Sequence, residues 1–285
     1  MSESLINLSK AVKISLEKIS APKIVAQCGA VFDVSGSAES MYSKRPGSSS
    51  SVMQRLIDRV FAPAMEFDDN GQLDAWLFHS RVHEMEPIVE SMFGAYVDKY
   101  IHGDPSISRQ IWGGTAYAPA MSAVYEHYYP GSTASRPVPR PPAPPAPPAP
   151  EPKKGFFSRL FGGKDEPAPA PVVAAPAPEF KPKSALKLQD PAYIVFVTDG
   201  ESGDEAATLA LLEEHKDKQV FFMLVGITNG GSKQEFPFLE KLKKQFGHVD
   251  FYNGGDIDSV SNEELYDSLL TKKFVNWYVA ARKVA

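Results

Sequence analysis

The sequence predicts an α/β protein: a doubly wound, mostly parallel six-stranded sheet with helices on both faces, interrupted by a disordered Pro-rich insertion. Three observations predict it. Short apolar runs bounded by polar turns alternate with segments of helical period. The runs at 24–32, 192–198 and 219–227 are nearly continuous in Val, Ile, Phe and Ala, as in strands buried on both faces. Finally, Arg136 to Pro182 holds 16 of the 25 prolines in a chain of 285 residues, and such a tract cannot form a packed core.

The elements follow in order. Leu5, Leu8, Val12, Leu16 and Ile19 recur at three- and four-residue steps, with Lys10, Lys13, Glu17 and Lys18 between them. They predict an amphipathic helix within residues 1–22 that packs on the domain and stops at Pro22. The first strand opens into a polar loop at Asp33. After a Ser- and Gly-rich stretch, Val52, Leu56, Val60 and Met65 set a second helical stripe. Asp68-Asp69-Asn70-Gly71 is a turn; it lacks the alternating acids and distal Glu of a calcium loop. Leu73–His79 is a strand, and Val82–Val89 is another that Pro87 confines to a sheet edge. Helices are expected over Met92–Ile101 and Tyr117–Tyr129. Beyond the proline tract come a strand ending at Asp199, a helix over Glu205–His215, and a strand over Gln219–Ile227. A helix over Phe236–Phe246, a last strand over Val249–Tyr252, and closing helices over Asn262–Val284 complete the chain. The domain thus divides into a first half at 23–135, the insertion at 136–182 and a second half at 183–285.

Composition narrows the function. A net charge of −5 gives no nucleic-acid footprint. A single cysteine, Cys28, cannot form an internal disulfide and suits a reducing compartment. No signal peptide is visible and no apolar run reaches the roughly 20 residues that span a bilayer, so the expected location is cytoplasmic.

The candidate chemistry lies in three separated loops. Asp33, Ser35 and Ser37 offer a carboxylate and two hydroxyls after the first strand. Trp112-Gly113-Gly114-Thr115 places a hydroxyl in a Gly-rich turn before a helix, and Asp199-Gly200 ends a later strand. Oxygen donors alone suit a hard dication, Mg²⁺ or else Mn²⁺ or Ca²⁺. Each residue also has a plainer reading: the acids as helix caps, the serines as turn formers. Enzyme motifs are missing: there is no Gly-x-Ser-x-Gly elbow and no phosphate-binding Gly-x-x-x-x-Gly-Lys-Ser/Thr loop. The six histidines show no metal spacing, and His79 and His83 are not expected to converge.

These residues resemble a von Willebrand factor A domain with its metal-ion-dependent adhesion site. Trp76-Leu77-Phe78, Tyr96-Val97-Asp98, Trp112 to Pro119, Val195 to Glu201, Phe238 to Leu242 and Glu263 to Asp267 narrow the likeness. They resemble the branch found in bacterial tellurium-resistance and stress proteins of the TerF type, over residues 5–129 and 190–283. The resemblance implies a Rossmann-like A-domain fold and a metal held by Asp33, Ser35, Ser37, Thr115 and Asp199. The hydroxyls of Ser35, Ser37 and Thr115 would face the ion, the two acids would act mostly through water, and one position would stay open for a partner's carboxylate.

The expectation is therefore a metal-dependent protein-interaction module, not an enzyme, in a bacterial or phage stress, tellurium-resistance or defence system. Its partner would be a protein presenting an acidic residue. An alternative lies in the insertion, where Lys153, Lys154, Phe156, Phe157, Arg159, Leu160 and Phe161 set aromatic side chains among basic ones within 153–164. This peptide is similar to the basic Phe-rich anchor of the bacterial signal-recognition-particle receptor. It would tether a scaffold to a partner groove or, peripherally, to a membrane surface. A metal-dependent hydrolase is the third reading.

Overall fold

The computed structural model describes residues 3–68, 70–132, 190–228 and 234–284. The proline tract and its Phe-rich peptide, with Lys153, Lys154, Phe156, Phe157, Arg159, Leu160 and Phe161, lie outside the described residues.

In chain order the elements are α1 (Glu3–Lys18), β1 (Gln27–Asp33), α2 (Glu39–Tyr42), α3 (Val52–Phe67), β2 (Leu73–Phe78) and β3 (Val82–Ile88). Then come α4 (Pro105–Ser108), α5 (Tyr117–Tyr128), β4 (Ala192–Thr198), α6 (Glu205–Glu214) and β5 (Val220–Ile227). The last are α7 (Pro237–Gln245), β6 (Val249–Gly255), α8 (Asn262–Leu269) and α9 (Lys272–Val284). They build one six-stranded sheet in the order β3-β2-β1-β4-β5-β6. Every neighbouring pair is parallel except β2 with β3, whose Pro87-bearing strand takes the edge.

Successive strand residues point to opposite faces, and this alternation splits the core in two. Cys28, Ala30 and Phe32, with Tyr193, Val195, Val197, Phe221 and Met223, pack against α1, α3, α8 and α9. Val31, Trp76, Phe78, Ile194, Phe196, Phe222 and Leu224 pack against α5, α6 and α7. With helices on both faces, the central strands need apolar residues at every position. β2, β4 and β5 are buried along their whole length.

Two details show tertiary contacts completing local structure. Pro63 inside α3 cannot donate to the carbonyl of Arg59. The hydroxyl of Tyr266, on α8, donates to that carbonyl instead, at 2.9 Å. The helix expected over Met92–Ile101 is not continuous. A 3₁₀ turn at Glu90–Met92 leads into Gly94 at φ +76°, and a π-helical turn spans Val97–His102. The cause lies on α3. Asp58 Oδ1 accepts the Gly94 amide at 2.9 Å and Gln54 Oε1 accepts that of Val97 at 2.7 Å, so the backbone bonds outward. Among the described residues, no helix is long and apolar enough to cross a membrane.

Candidate metal centre at the carboxyl edge of the sheet

β1 and β4 lie side by side at the centre of the sheet, and their chain connections leave in opposite directions: β1 leads to β2, β4 to β5. This is the switch point where open α/β sheets bind ligands, beyond the carboxyl ends of the strands. Asp33 closes β1 here, and Asp199 follows the last residue of β4.

The Asp33 carboxylate is fully buried and held at both oxygens. Oδ1 accepts the Ser35 amide at 2.7 Å, and Oδ2 accepts the Thr198 hydroxyl at 2.7 Å. Ser35 Oγ and Ser37 Oγ are 3.1 Å apart, and Ser37 Oγ donates to Asp199 Oδ1 at 2.9 Å. A methyl built on Gly200 would lie 3.9 Å from Ser37 Oγ and 3.9 Å from Thr115 Oγ1. The structure thus brings Asp33, Ser35, Ser37, Thr115 and Asp199 to one corner. Asp33 and Asp199 do not cap the helices that follow them: the residue before α2 is Ala38 and that before α6 is Asp204.

Backbone bonding sets the Thr115 loop beside the Asp33 loop. The Trp112 amide donates to Val34 O at 2.8 Å and the Gly36 amide to Gly113 O at 2.9 Å. Trp112 reaches this register at φ +71°, a conformation costly for a bulky residue. Gly113 has no room for a side chain, since a Cβ there would meet His79 Nδ1 at 2.5 Å. Two further residues tie the corner together. Asp204 accepts the amides of Tyr117 at 2.9 Å and Ala118 at 3.0 Å, capping α5 from the loop after β4. The Tyr117 phenol donates to Thr198 Oγ1 at 3.3 Å and to the Gly200 carbonyl. Sequence reasoning missed both, because they act across more than 80 positions. The only local signal is an acid opening a helix at 204.

Among the described residues, the corner holds two carboxylates and no cationic side chain bonds them. Burial raises the Asp33 carboxyl, against hydrogen bonds from Ser35 and Thr198. Burial first, then the charge of Asp33, pushes Asp199 up to about 6. Crowded negative charge with three hydroxyls facing it fits a small hard cation. Among the described residues, no three His, Cys, Asp or Glu side chains gather as a metal cluster. Here the donor set is two carboxylates and three hydroxyls.

The histidine expectation needs correcting. The chain reverses between β2 and β3, with the His79 amide donating to Arg81 O at 2.8 Å, and this brings His79 Nε2 to 3.2 Å from His83 Nε2. Among the described residues His79 Nδ1 is buried without a partner, and burial lowers the pKa of both imidazoles. The Asp68 turn behaves as one: its carboxylate accepts the Asn70 amide at 3.1 Å, and Gly71 sits at φ +62°.

A family model described as "vWA-TerF-like: vWA found in TerF C terminus" matches residues 25–138 and 181–285. The uncharacterized protein YcbR of Bacillus subtilis (strain 168) is 29% identical over 278 residues, covering 96% of this chain and 86% of that protein. Two solved structures are similar at low identity. One is proximal thread matrix protein 1 of the mussel byssus, at 13% identity and TM-score 0.45, covering 88% of this chain and 48% of that one. The other is the D319A mutant of the PilB minor pilin of Streptococcus sanguinis, at 10% identity and TM-score 0.42, covering 93% of this chain and 64% of that one. The family match spans both halves of the sheet and all three loops of the corner, and the chain belongs to the von Willebrand factor A family of the TerF-like branch.

Proposed function

We propose that this chain is a divalent-cation-dependent protein-interaction module serving a bacterial stress or tellurium-resistance system. The observation that carries the reading is the meeting of three sequence-distant loops in one all-oxygen corner, with Ser37 Oγ 2.9 Å from Asp199 Oδ1 and next to Ser35 Oγ. The hydroxyls of Ser35, Ser37 and Thr115 hold Mg²⁺, with Mn²⁺ or Ca²⁺ as substitutes, while Asp33 and Asp199 balance its charge. The bound ion supplies a concentrated positive charge that a partner's carboxylate can complete. The chain's own residues do the rest. Thr198 holds Asp33 in place, Asp204 fixes the start of α5 and so Thr115, and the glycines keep side chains out of the approach. The expected role is capture of an acidic protein partner, with no reaction catalysed.

The test is calorimetric titration of Mg²⁺ and Mn²⁺ into the metal-free chain and into Thr115→Val, which removes one hydroxyl and keeps the shape. Uptake of one ion by the wild type, at least ten-fold weaker in the variant, supports the reading. A wild type that takes up neither metal overturns it.

A further inference from the structure

Beside the metal corner stands a short turn that the metal does not use. It links β2 to β3 and carries His79, Ser80 and Arg81. Ser80 Oγ accepts the Gly114 amide at 3.0 Å, and His79 O accepts that of Ala116 at 3.2 Å. The turn is therefore bonded to the residues on either side of Thr115. Arg81 is exposed at its tip, and its guanidinium makes no hydrogen bond or ion pair among the described residues. The two imidazoles beside it are kept neutral, pushed down by burial first and then by neighbouring positive charge that includes Arg81. They leave Arg81 as the charge of this turn.

On the other side of Gly113 is Trp112, half-buried and edge-on to Tyr42 at 5.3 Å. It is held at φ +71°, a conformation a bulky side chain adopts only where the surroundings force it. An unpaired arginine and a half-open tryptophan thus flank the loop that carries Thr115. Arg and Trp are the side chains that most often dominate the energy of protein interfaces. A guanidinium also grips a carboxylate through two parallel hydrogen bonds.

We propose that Arg81, with Trp112 beside it, is a second anchor of the partner-binding surface, so that the segment recognised is an acidic peptide carrying two carboxylates. The first completes the ion held at Ser35, Ser37 and Thr115. The second pairs with Arg81, while the intervening chain lies over Gly113, Gly114 and Trp112. This rests on the proposed function, since the first carboxylate needs the ion. It adds that the module tells a doubly acidic partner from a singly acidic one.

The probes are N-acetylated, C-amidated Gly/Ser peptides carrying either one Asp or two Asp spaced one to four residues apart. They are titrated into the full magnesium-loaded chain. The wild type is expected to bind the best two-Asp peptide about ten-fold more tightly than the one-Asp peptide. Arg81→Glu should erase that preference. Lys283→Glu, in the last turn of α9 at the opposite end of the sheet, should keep it. If no two-Asp peptide outbinds the one-Asp peptide, or if Arg81→Glu retains the preference, the second anchor is refuted while the metal reading stands. If neither peptide binds although magnesium is taken up, recognition of acidic peptides falls. If neither magnesium nor manganese is taken up, both proposals fall.

Discussion

Asp199→Asn should make the metal-free protein more stable and the metal-loaded protein less so. Burial and the neighbouring Asp33 push the Asp199 carboxyl from 3.8 to about 6 in the folded chain. A carboxyl raised in this way holds its proton more tightly folded than unfolded. Its contribution to stability is full below 3.8 and is lost as pH rises through about 6. A rise of that size corresponds to about 3 kcal/mol. Asp199 is only half-buried, so solvent screening reduces this to about 1–2 kcal/mol. Asn keeps an oxygen to accept from Ser37 and removes the charge. At pH 7.5 in EDTA, Asp199→Asn should therefore melt about 3–6 °C above wild type, and the gap should shrink to about half at pH 5. With magnesium the order should reverse, because the wild type gains the ligand-binding term, about 2.7 kcal/mol at a hundred times Kd, and the variant does not. Differential scanning calorimetry in EDTA and in excess magnesium reads both arms. A variant that melts below wild type in EDTA, or that gains as much as wild type from magnesium, would refute the reasoning.

Two further outcomes follow from other parts of the molecule. Burial alone would lower His127, but its contacts with Asp74 and Glu84 more than offset this and hold it at about 9. Its stabilisation, at most about 3 kcal/mol, is present below 6.5 and disappears as pH rises through about 9. His127→Gln should flatten that part of the pH–stability profile measured by urea unfolding. Gly113→Ala forces a Cβ to 2.5 Å from His79 Nδ1. It should displace the Thr115 loop and weaken magnesium binding about ten-fold or more, with a loss of stability of about 1–3 kcal/mol; unchanged magnesium affinity would count against the loop's role.

The sheet was legible because buried parallel strands leave a strong mark: unbroken apolar runs such as Tyr193 to Val197 do not occur in solvated loops. Pro87 marked its edge for an equally local reason. The helix expected over Met92–Ile101 was not legible, since Gln54 and Asp58 divert its amides from 36 or more positions away. The five oxygen-bearing residues of the corner could be picked out because Asp33 and Asp199 end apolar runs, Ser35 and Ser37 follow Asp33 in one polar loop, and Thr115 sits in a Gly-rich turn. Their supporting residues could not. Asp204, Thr198 and Tyr117 look like ordinary loop and helix residues until the chain folds and sets them against distant loops. The His79–His83 pair was misread for a related reason: four residues across a reversing turn are close, and spacing alone does not show where the chain turns back.

After α5 the described chain runs to Ser132 and resumes at Asp190 just before β4, where Pro191 O accepts the Gln27 amide at 2.9 Å. That junction is at the amino ends of the strands, and Asp33, Thr115 and Asp199 are at the carboxyl ends. A fluorescent reporter attached at Ser132 or Asp190 would thus sit at the other end of the sheet from the corner whose chemistry would be measured.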